Sequence, residues 1–405
     1  MKARLISCVC VTAITVVAGA QARPDRGAAD PGVTASTITI GGTVPLTGVA
    51  AAYASVGRGA DAYFKYVNAR GGVNGRKIEY KFLDDAYNPA NTVQETRKLV
   101  QEEKVFAIFN SLGTEHNLAI RPFLNASKVP QVFAASGATT FGADYKQYPW
   151  TIGYLPSYVA EGVIYGKHLL KTRPGARVAV VYQNDDYGKD LIAGLKKGLG
   201  SSGKIVAQEG YEVTSTDVSS QISKLKSSGA KILLIAATPA HAIRAYIAVN
   251  KIGWKPQIVI NQVAAATNTM KIAALSSGKV AEGSISINFL KDPADPRWRN
   301  DKGGKLYRQI FKQYGSGDVN DVYNVYAMAA AHTLVGALKR AGKTPTRDGL
   351  IKALTTLNET NNPFILPGIK VSTKPNDRFP IKQAQLQQWK QGRWVPFGPI
   401  LNARG

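Results

Sequence analysis

The sequence predicts an α/β protein built of two lobes, and three observations lead to that prediction. From about Thr37, strand-like and helix-like segments alternate along the chain, which is typical of parallel sheets covered by helices on both faces. The chain has 405 residues, too many for one ordinary hydrophobic core. Its 44% hydrophobic and 19% charged residues are the composition of a globular protein.

The period of the apolar residues predicts each element. Strands alternate apolar and polar side chains, whereas Ala60, Tyr63, Phe64 and Val67 recur at the spacing of a helix. Pro89 suits the first turn of another helix. In chain order the pattern predicts strand 38–40, helix 60–67, strand 77–82, helix 89–103, strand 105–109, helix 117–126, strand 129–134, helix 159–171, strand 177–182, helix 189–199, strand 205–211, helix 218–227, strand 231–236, helix 240–251 and strand 257–260.

The last hundred or so residues follow a different pattern. Three helices are predicted in a row, and a final hairpin turns at Gln391 and Gly392. Proline-rich or irregular segments interrupt the pattern at three places and are candidate connections between lobes. The helices are 299–314, 322–341 and 346–356, the hairpin strands 383–389 and 393–397, and the connections 154–157, 291–296 and 361–368.

The first residues predict export. Lys2 and Arg4 precede an uncharged apolar run from Leu5 to Ala20, and small residues follow it, which is the order of a secretory signal peptide. The run is shorter than the roughly 20 residues that a transmembrane helix requires. We therefore predict a signal peptide at 1–22 and a periplasmic or extracytoplasmic location.

The residues that catalysis or metal binding would need are sparse. Both cysteines, Cys8 and Cys10, lie in the predicted signal peptide, so the mature chain has no thiol for a disulfide or a metal site. The four histidines are isolated in the sequence, and no nucleophile elbow or phosphate-binding loop occurs. We expect no catalytic residues, no metal and no cofactor, and an exported hydrolase is the least favoured hypothesis.

The charge of the chain is strongly positive. Without residues 1–22 it has 49 basic and 27 acidic side chains, a net charge of +22. The basic residues are scattered over predicted helix faces and form no run of five or six, so a solvated basic surface is favoured and no nucleic-acid partner is expected.

Four segments, in this order and spacing, are similar to one known family. They are 42–48 (GTVPLTG), 67–77 (VNARGGVNGRK), 84–89 (DDAYNP) and 184–188 (NDDYG). From about Ile38 to its end the chain resembles the periplasmic solute-binding proteins of the branched-chain amino acid type, which serve ABC transporters. The resemblance implies the periplasmic binding protein type I fold, in which two Rossmann-like lobes are joined by a three-strand hinge and close over a ligand. It implies a first lobe at 37–154 plus 290–360, and a second at 155–289 plus 361–405.

The resemblance also implies the site residues. In α/β sheets ligands bind beyond the carboxyl ends of the strands, where helix starts offer free N–H groups to an anion. Two hydroxyl-rich loops follow strands 105–109 and 129–134, and the family holds its ligand carboxylate in such loops; ordinary helix capping is the alternative. The implied carboxylate-binding residues are Thr114, Ser136, Gly137, Ala138 and Thr139.

Aromatic residues of the family line the cleft from both lobes. Tyr53 and Tyr187 match these positions, and Tyr323 matches more loosely. Half-buried packing is the alternative role for these tyrosines, because Tyr serves both uses.

Departures from the family pattern bear on the ligand and on stability. Gln262 stands where the family has the Glu that pairs with the ammonium of an amino acid, and Thr238 stands where it has a neighbouring Tyr. A buried ammonium without a carboxylate partner costs several kcal/mol. The ligand class therefore stays open between a branched-chain or other apolar amino acid and an amide or carboxylate. Tyr87 takes one cysteine position of the family disulfide, which concerns stability.

The resemblance implies a function as well. The chain is expected to be an extracytoplasmic substrate-binding protein, a monomer that delivers a small organic solute to the permease and ATPase subunits of an ABC transporter. A receptor of the same fold that delivers its signal to another partner is the second hypothesis, because both functions need only a closing cleft.

Overall fold

The computed structural model describes residues 30–402. In this part of the chain no helix is long and apolar enough to cross a membrane. The predicted signal peptide at 1–22 lies outside the described residues.

A sheet of five parallel strands forms the first half of the molecule. Its strand order is β2-β1-β3-β4-β5, so the direction of strand addition reverses between β1 and β3. Ligands of such sheets bind in the crevice at that reversal. The elements are β1 (Thr37–Val44), a 3₁₀ turn (Ala51–Ala54), α1 (Ser55–Asn68), β2 (Lys77–Asp84), α2 (Pro89–Gln101), β3 (Ile108–Phe109), α3 (Thr114–Ala126), β4 (Gln131–Ala134), α4 (Thr140–Ala143) and β5 (Thr151–Gly153).

A second series of strands and helices follows at once. Its strands 177–183, 232–236 and 257–260 are almost entirely buried, as covered parallel sheets require. The elements are α5 (Tyr158–Thr172), β6 (Arg177–Gln183), α6 (Asp186–Leu199), β7 (Lys204–Tyr211), α7 (Ser219–Ser227), β8 (Ile232–Ala236), α8 (Pro239–Lys251), β9 (Gln257–Ile260), α9 (Thr267–Ser277) and β10 (Ile285–Asn288).

The last part of the chain contributes to both halves. Helices α10 and α11 return to pack on α1 beside the first sheet, whereas the final hairpin extends the second sheet. That sheet has the order β14-β13-β10-β9-β8-β6-β7. The elements are α10 (Lys302–Tyr314), α11 (Val322–Arg340), α12 (Arg347–Leu354), β11 (Asn358–Glu359), β12 (Val371–Ser372), β13 (Gln383–Lys390) and β14 (Arg393–Asn402).

The predicted α/β alternation is confirmed, with differences at particular elements. Helix α9 is missing from the prediction because it has no clean apolar stripe: Ile272 and Leu275 are 50% and 87% exposed. β5 and β10, three and four residues long, are also missing from the prediction. α3 begins at Thr114, three residues before the predicted helix, and this places Thr114 in its first turn.

The connection that follows β10 pairs with a later segment of the chain. Leu290 and Ile365 form an antiparallel bridge. The N–H of Leu366 donates to Phe289 O at 2.9 Å, and the N–H of Lys291 donates to Phe364 O at 2.9 Å. The chain that enters the first half after β10 therefore runs beside residues 364–366.

The third connection differs from the expected boundary near 361. Phe364, Ile369, Val371 and Ile381 pack in the same core as β1 and α11. Of the strands after 361, β12 pairs with β11, whereas β13 and β14 join the second sheet. Residues 364–381 thus pack with the first half of the molecule, although residues 361–405 are expected in the second lobe.

The backbones of helices α5 and α6 are in direct contact at two glycines. A Cβ at Gly162 would lie 2.5 Å from Leu191 O, and a Cβ at Gly194 would overlap Val159 O. Glycine is required at both positions because carbonyl groups of the partner helix fill the space.

This packing predicts opposite effects for two Gly→Ala variants. Gly194→Ala should lower the free energy of unfolding by about 1–3 kcal/mol through overpacking. Gly336→Ala, in helix α11 with only Arg340 Nη1 within 4 Å of the added Cβ, should raise it by about 0.5–1 kcal/mol through helix propensity. Urea unfolding followed by circular dichroism measures both. Equal effects of the two substitutions would contradict the close packing.

Candidate functional site

A cleft lies between the two sheets, at the carboxyl ends of their strands. Its lining includes Leu112, Gly113 and Thr114 after β3, Tyr187 in α6 and Thr238 after β8. The cleft contains about 810 Å³ of empty space, including its solvent-open part. Loops from both sheets meet here because parallel strands present their carboxyl ends at one edge.

Six of the ten residues expected at the site line this cleft. They are Tyr53, Thr114, Tyr187, Thr238, Gln262 and Tyr323. Ser136 stands directly behind, with its hydroxyl oxygen 2.7 Å from Thr114 Oγ1. The contact of these residues with a ligand stays a prediction.

The other three expected residues lie away from the described lining. The N–H of Ala138 donates to Ser136 Oγ at 3.1 Å, so this loop holds the serine in place. The N–H of Thr139 donates to Asp190 Oδ2 of α6 at 2.7 Å. Gly137 has no room for a Cβ, which would lie 2.5 Å from Pro156 O. Residues 137–139 therefore connect the two halves of the molecule around the cleft.

The first turn of α3 favours an anion. Gly113 precedes the helix with φ 109°, and a Cβ there would overlap the ring of His116. The first N–H groups of a helix have no partner inside it, and its N-terminus carries partial positive charge. The buried Thr114 hydroxyl, held 2.7 Å from Ser136 Oγ, adds a polar group at the same point. A ligand carboxylate at this point would meet hydrogen-bond donors without a basic side chain.

Two tyrosines of the first half converge on one carbonyl of the second. Tyr53 OH donates to Val263 O at 3.0 Å, and Tyr323 OH donates to the same oxygen at 2.7 Å. The two rings meet edge to face, with centroids 5.0 Å apart. These hydrogen bonds join the halves across the cleft.

Two further tyrosine hydroxyls of the lining also have protein partners. Tyr187 OH donates to Asn261 Oδ1 at 2.6 Å, and Tyr326 OH donates to Asn110 Oδ1 at 2.9 Å. With their hydroxyls bonded to the protein, these four tyrosines offer a ligand the faces and edges of aromatic rings, which suit an apolar group.

Most lining residues were not expected from the sequence. Apolar residues in connecting segments resemble ordinary core residues, and nothing in their spacing indicates that they line a cavity. Only their position, directly after strands or in connections between the lobes, could have indicated that these residues line the cleft. They are Val56, Tyr87, Leu112, Gly113, Ala135, Leu155, Tyr158, Val263, Ala265, Ile287, Asn288, Leu290, Asp292, Val322, Tyr326 and Gln387.

Asp292 is the one formally charged side chain of the described lining. It is 8% exposed, and its carboxylate accepts hydrogen bonds from Thr267 Oγ1 at 2.7 Å and from the N–H of Ala294 at 2.8 Å. Burial raises the pKa of Asp292 to about 6, so the carboxylate is mostly ionised at neutral pH. A cationic group in the cleft would have the Asp292 carboxylate as its charge partner. The sequence predicts segment 291–296 only as a connection between lobes, so this role of Asp292 was not expected.

A second buried carboxyl group lies behind Gln262. The backbone N–H of Gln262 donates to Glu161 Oε1 at 2.7 Å, and Tyr165 OH donates to the same oxygen at 2.6 Å. Glu161 Oε2 and Gln262 Nε2 are buried without a hydrogen-bond partner. Burial raises the pKa of Glu161 to about 7.

The raised pKa predicts a stability that falls with pH. Because the folded pKa of Glu161 exceeds its ordinary value of 4.5, its contribution is fully present below pH 4.5 and is lost as pH rises through about 7. The loss amounts to roughly 3 kcal/mol at most. Thermal unfolding between pH 4.5 and 8.5 should show a smaller decline for Glu161→Gln than for the wild type. The exposed control Glu102→Gln should keep the wild-type slope; an unchanged slope in Glu161→Gln would contradict the assignment.

Residues 30–402 contain no group of three His, Cys, Asp or Glu side chains that could hold a metal ion. Burial lowers the pKa of both His116 and His332 to about 4, so these imidazoles are neutral at pH 7. Each packs against a tyrosine ring, His116 on Tyr87 and His332 on Tyr63.

The molecule has two sheets covered by helices and an apolar cleft between the carboxyl ends of their strands. This is the periplasmic binding protein type I fold of two-lobed solute-binding proteins. The chain belongs to the periplasmic binding protein family, whose model matches residues 37–393.

Individual relatives agree with this assignment. The Leu/Ile/Val-binding protein homolog 1 of Brucella melitensis is 27% identical over 368 residues, which are 88% of this chain and 91% of the relative. A branched-chain amino acid ABC transporter protein from Thermus thermophilus with bound valine is similar in structure, with a TM-score of 0.79, 19% identity and coverage of 91% and 97% of the two chains. A fatty acid ABC transporter substrate-binding protein from Thermomonospora curvata has a TM-score of 0.77, 21% identity and coverage of 94% and 96%.

Proposed function

We propose that the chain is the extracytoplasmic substrate-binding protein of an ABC transporter. It captures a small apolar amino acid in the cleft and delivers it to the membrane permease, without chemical change. The family and the relatives described above support the class of function. The predicted signal peptide at 1–22 supports the location.

The observation that carries the choice of ligand is that Asp292 lines the same cleft as Thr114. One is a buried carboxylate without a basic partner in the lining, and the other is a donor at a helix N-terminus. An ammonium and a carboxylate of one molecule satisfy both groups. Asp292 thereby replaces the charge that Gln262 lacks.

The space between these groups suits an apolar side chain. Tyr53, Tyr187 and Tyr323 present ring surfaces because their hydroxyls bond to protein acceptors or to a backbone carbonyl. Burial of an apolar group against rings contributes about 25 cal/mol for each Å² removed from water. The other neighbouring structure is named for fatty acids, so a carboxylate without an ammonium is the competing ligand.

Closure is proposed to occur about the three connecting segments. Lobe one comprises 37–154 and 290–382, and lobe two comprises 155–289 and 383–402. The packing of residues 364–381 in the first core supports a last crossing near 382. The bonds of Tyr53 and Tyr323 to Val263 O would form on closure and help to retain the solute.

A binding panel tests the proposed function. Isothermal titration of the chain lacking residues 1–22 should detect leucine, isoleucine, valine or phenylalanine, with weaker binding of the matching amides. Thr114→Val should weaken binding by about tenfold or more, because it removes a hydrogen bond to a charged group. Absence of binding across amino acids, amides, and aliphatic and aromatic carboxylates would contradict the proposal.

The role of Asp292 predicts a selective loss. Asp292→Asn should weaken amino acid binding by about 30-fold or more, since an unpaired buried charge costs 2 kcal/mol or more, and should leave amine-free carboxylates unaffected. Wild-type affinity should fall as pH drops below about 6, where Asp292 gains a proton. Asp295→Asn, the adjacent control outside the lining, should bind normally. If the wild type prefers amine-free carboxylates, the role of Asp292 is wrong but the proposed receptor function stands. In that case Gln262→Glu should improve amino acid binding.

A further inference from the structure

Three helices of the second lobe cover one face of its sheet. Successive residues of a strand point to opposite faces, and along β6 and β8 they belong to two different cores: Val181 and Ile235 lie in one, Val180 and Leu234 in the other. Helices α7, α8 and α9 contribute to the first core, whereas α5 and α6 contribute to the second. Because α8 contacts both α7 and α9, the outer sides of these three helices adjoin each other.

The segment that contains these helices is basic and has no acidic residue. Residues 218–281 include no Asp or Glu. They include eight Lys or Arg residues, of which all but Arg244 are exposed. The eight are Lys224, Lys226, Lys231, Arg244, Lys251, Lys255, Lys271 and Lys279.

The acidic side chains near this segment lie at its margins. Asp217 precedes α7, and Glu282 follows the segment. Glu209 of β7 lies 3.3 Å from Lys224 Nζ, and Asp318 of the first lobe accepts a hydrogen bond from Asn268 at the start of α9. Lys224 is the one basic residue of the segment that forms an ion pair with a described residue. The positive charge of α8 and α9 is therefore not neutralised within the described chain.

Exposed aliphatic side chains lie among these basic residues. Of the four exposed large hydrophobic side chains within residues 30–402, three belong to α8 and α9: Ile247, Ile272 and Leu275. Leu275 is 87% exposed, so its side chain projects into solvent. Ile272 and Lys271 precede it by three and four residues, a spacing that places all three on one side of α9.

Helix α8 repeats this arrangement. Arg244 and Lys251 lie three residues before and four residues after Ile247, so the three share one side of the helix. The two helices together form a surface of cations and aliphatic side chains. We call it the α8–α9 surface, and it consists of Arg244, Ile247, Lys251, Lys271, Ile272, Leu275 and Lys279.

The opposite face of the sheet provides a comparison. Helices α5 and α6 also carry exposed lysines, among them Lys167, Lys171, Lys196 and Lys197. None of the exposed large hydrophobic side chains of residues 30–402 belongs to these two helices. Positive charge alone therefore does not distinguish the α8–α9 surface, but the combination of positive charge with exposed aliphatic groups does.

This combination fits an anionic lipid bilayer. A soluble polyanion would pair with the lysines and leave Leu275 in water. At a bilayer, lysines contact the lipid phosphates while aliphatic side chains enter the boundary between headgroups and acyl chains. The long lysine stems lie along apolar surface and keep their ammonium groups at the headgroups. A bilayer thus satisfies both the charged and the apolar part of the surface.

We propose that the α8–α9 surface binds the face of an anionic lipid bilayer. Lys251, Lys271 and Lys279 contact the lipid phosphates, and Ile272 and Leu275 enter the headgroup boundary. This contact is peripheral, and it goes beyond the capture of a solute. It uses none of the residues that line the cleft and does not depend on the identity of the solute.

Vesicle flotation tests the proposal. The chain lacking residues 1–22 is used, so that the apolar run 5–20 does not itself bind lipid. It should float with vesicles of equal parts phosphatidylglycerol and phosphatidylcholine at low salt, and less as sodium chloride rises. Vesicles of phosphatidylcholine alone should leave it in solution. No flotation with the anionic vesicles, or equal flotation with both kinds, would overturn the proposal.

Variants locate the bilayer contact. Leu275→Gln should weaken binding to the anionic vesicles by about tenfold, because it removes apolar surface that the bilayer buries. Lys271→Glu combined with Lys279→Glu should weaken binding by about 30-fold or more, the effect of two lysines near an anionic surface. Lys196→Glu combined with Lys197→Glu makes the same charge change on α6 and should bind nearly as the wild type does. All five side chains are exposed, so the variants should fold, and thermal unfolding checks this.

A fluorescent label tests whether Leu275 enters the lipid. Both cysteines of the chain precede residue 23, so Leu275→Cys provides a single labelling site in the chain lacking residues 1–22. The emission of a polarity-sensitive dye at this site should shift to shorter wavelength on the anionic vesicles. The same dye on Lys196→Cys should keep its emission. An unshifted emission at position 275 in the vesicle-bound protein would contradict insertion.

Three further results would overturn the assignment to this surface. The first is wild-type affinity in both Leu275→Gln and the combined Lys271→Glu and Lys279→Glu variant. The second is an equal loss of binding in the combined Lys196→Glu and Lys197→Glu variant. The third is binding of soluble polyphosphate through Lys271 and Lys279 by a protein that ignores the vesicles, which would assign the surface to a soluble polyanion.

Discussion

Parallel strands present all their carboxyl ends at one edge, and the rest of this structure depends on that constraint. The edges of two such sheets face each other, so the residues that follow β3, β4, β8 and β9 meet in one cleft. Helix starts come with these loops and bring unpaired N–H groups. The connection after β10 is held beside residues 364–366 through the Leu290–Ile365 bridge, and this pairing helps to keep the edges opposed.

Buried carboxyl groups set the electrostatics of the interlobe region. Asp292 in the cleft and Glu161 behind Gln262 are both held away from water, and burial raises the pKa of each. No Lys or Arg lines the cleft beside them among the described residues. The cleft is therefore an acidic region inside a basic protein. Such a region favours solutes that carry a positive nitrogen.

Residues with a recognisable local pattern could be predicted, and others could not. Thr114 follows a buried strand in a hydroxyl-rich loop, and Tyr53, Tyr187 and Tyr323 stand at positions that family motifs mark. Asp292 lies in a proline-rich connection, where an acidic residue usually serves a turn. Tyr87 and His116 are 29 residues apart in sequence, and only the fold brings their rings to 4.2 Å.

The sequence by itself determined the α/β class, the order of most strands and helices, and several of the residues that line the cleft. Periodicity is local, and local patterns decide which segments become strands or helices. The tertiary structure alone decided that Asp292 shares a cleft with Thr114, that Glu161 lies behind Gln262, and that residues 364–381 pack with the first core. These are contacts between distant segments, which depend on how whole sheets and helices pack and leave no periodic signal in the chain.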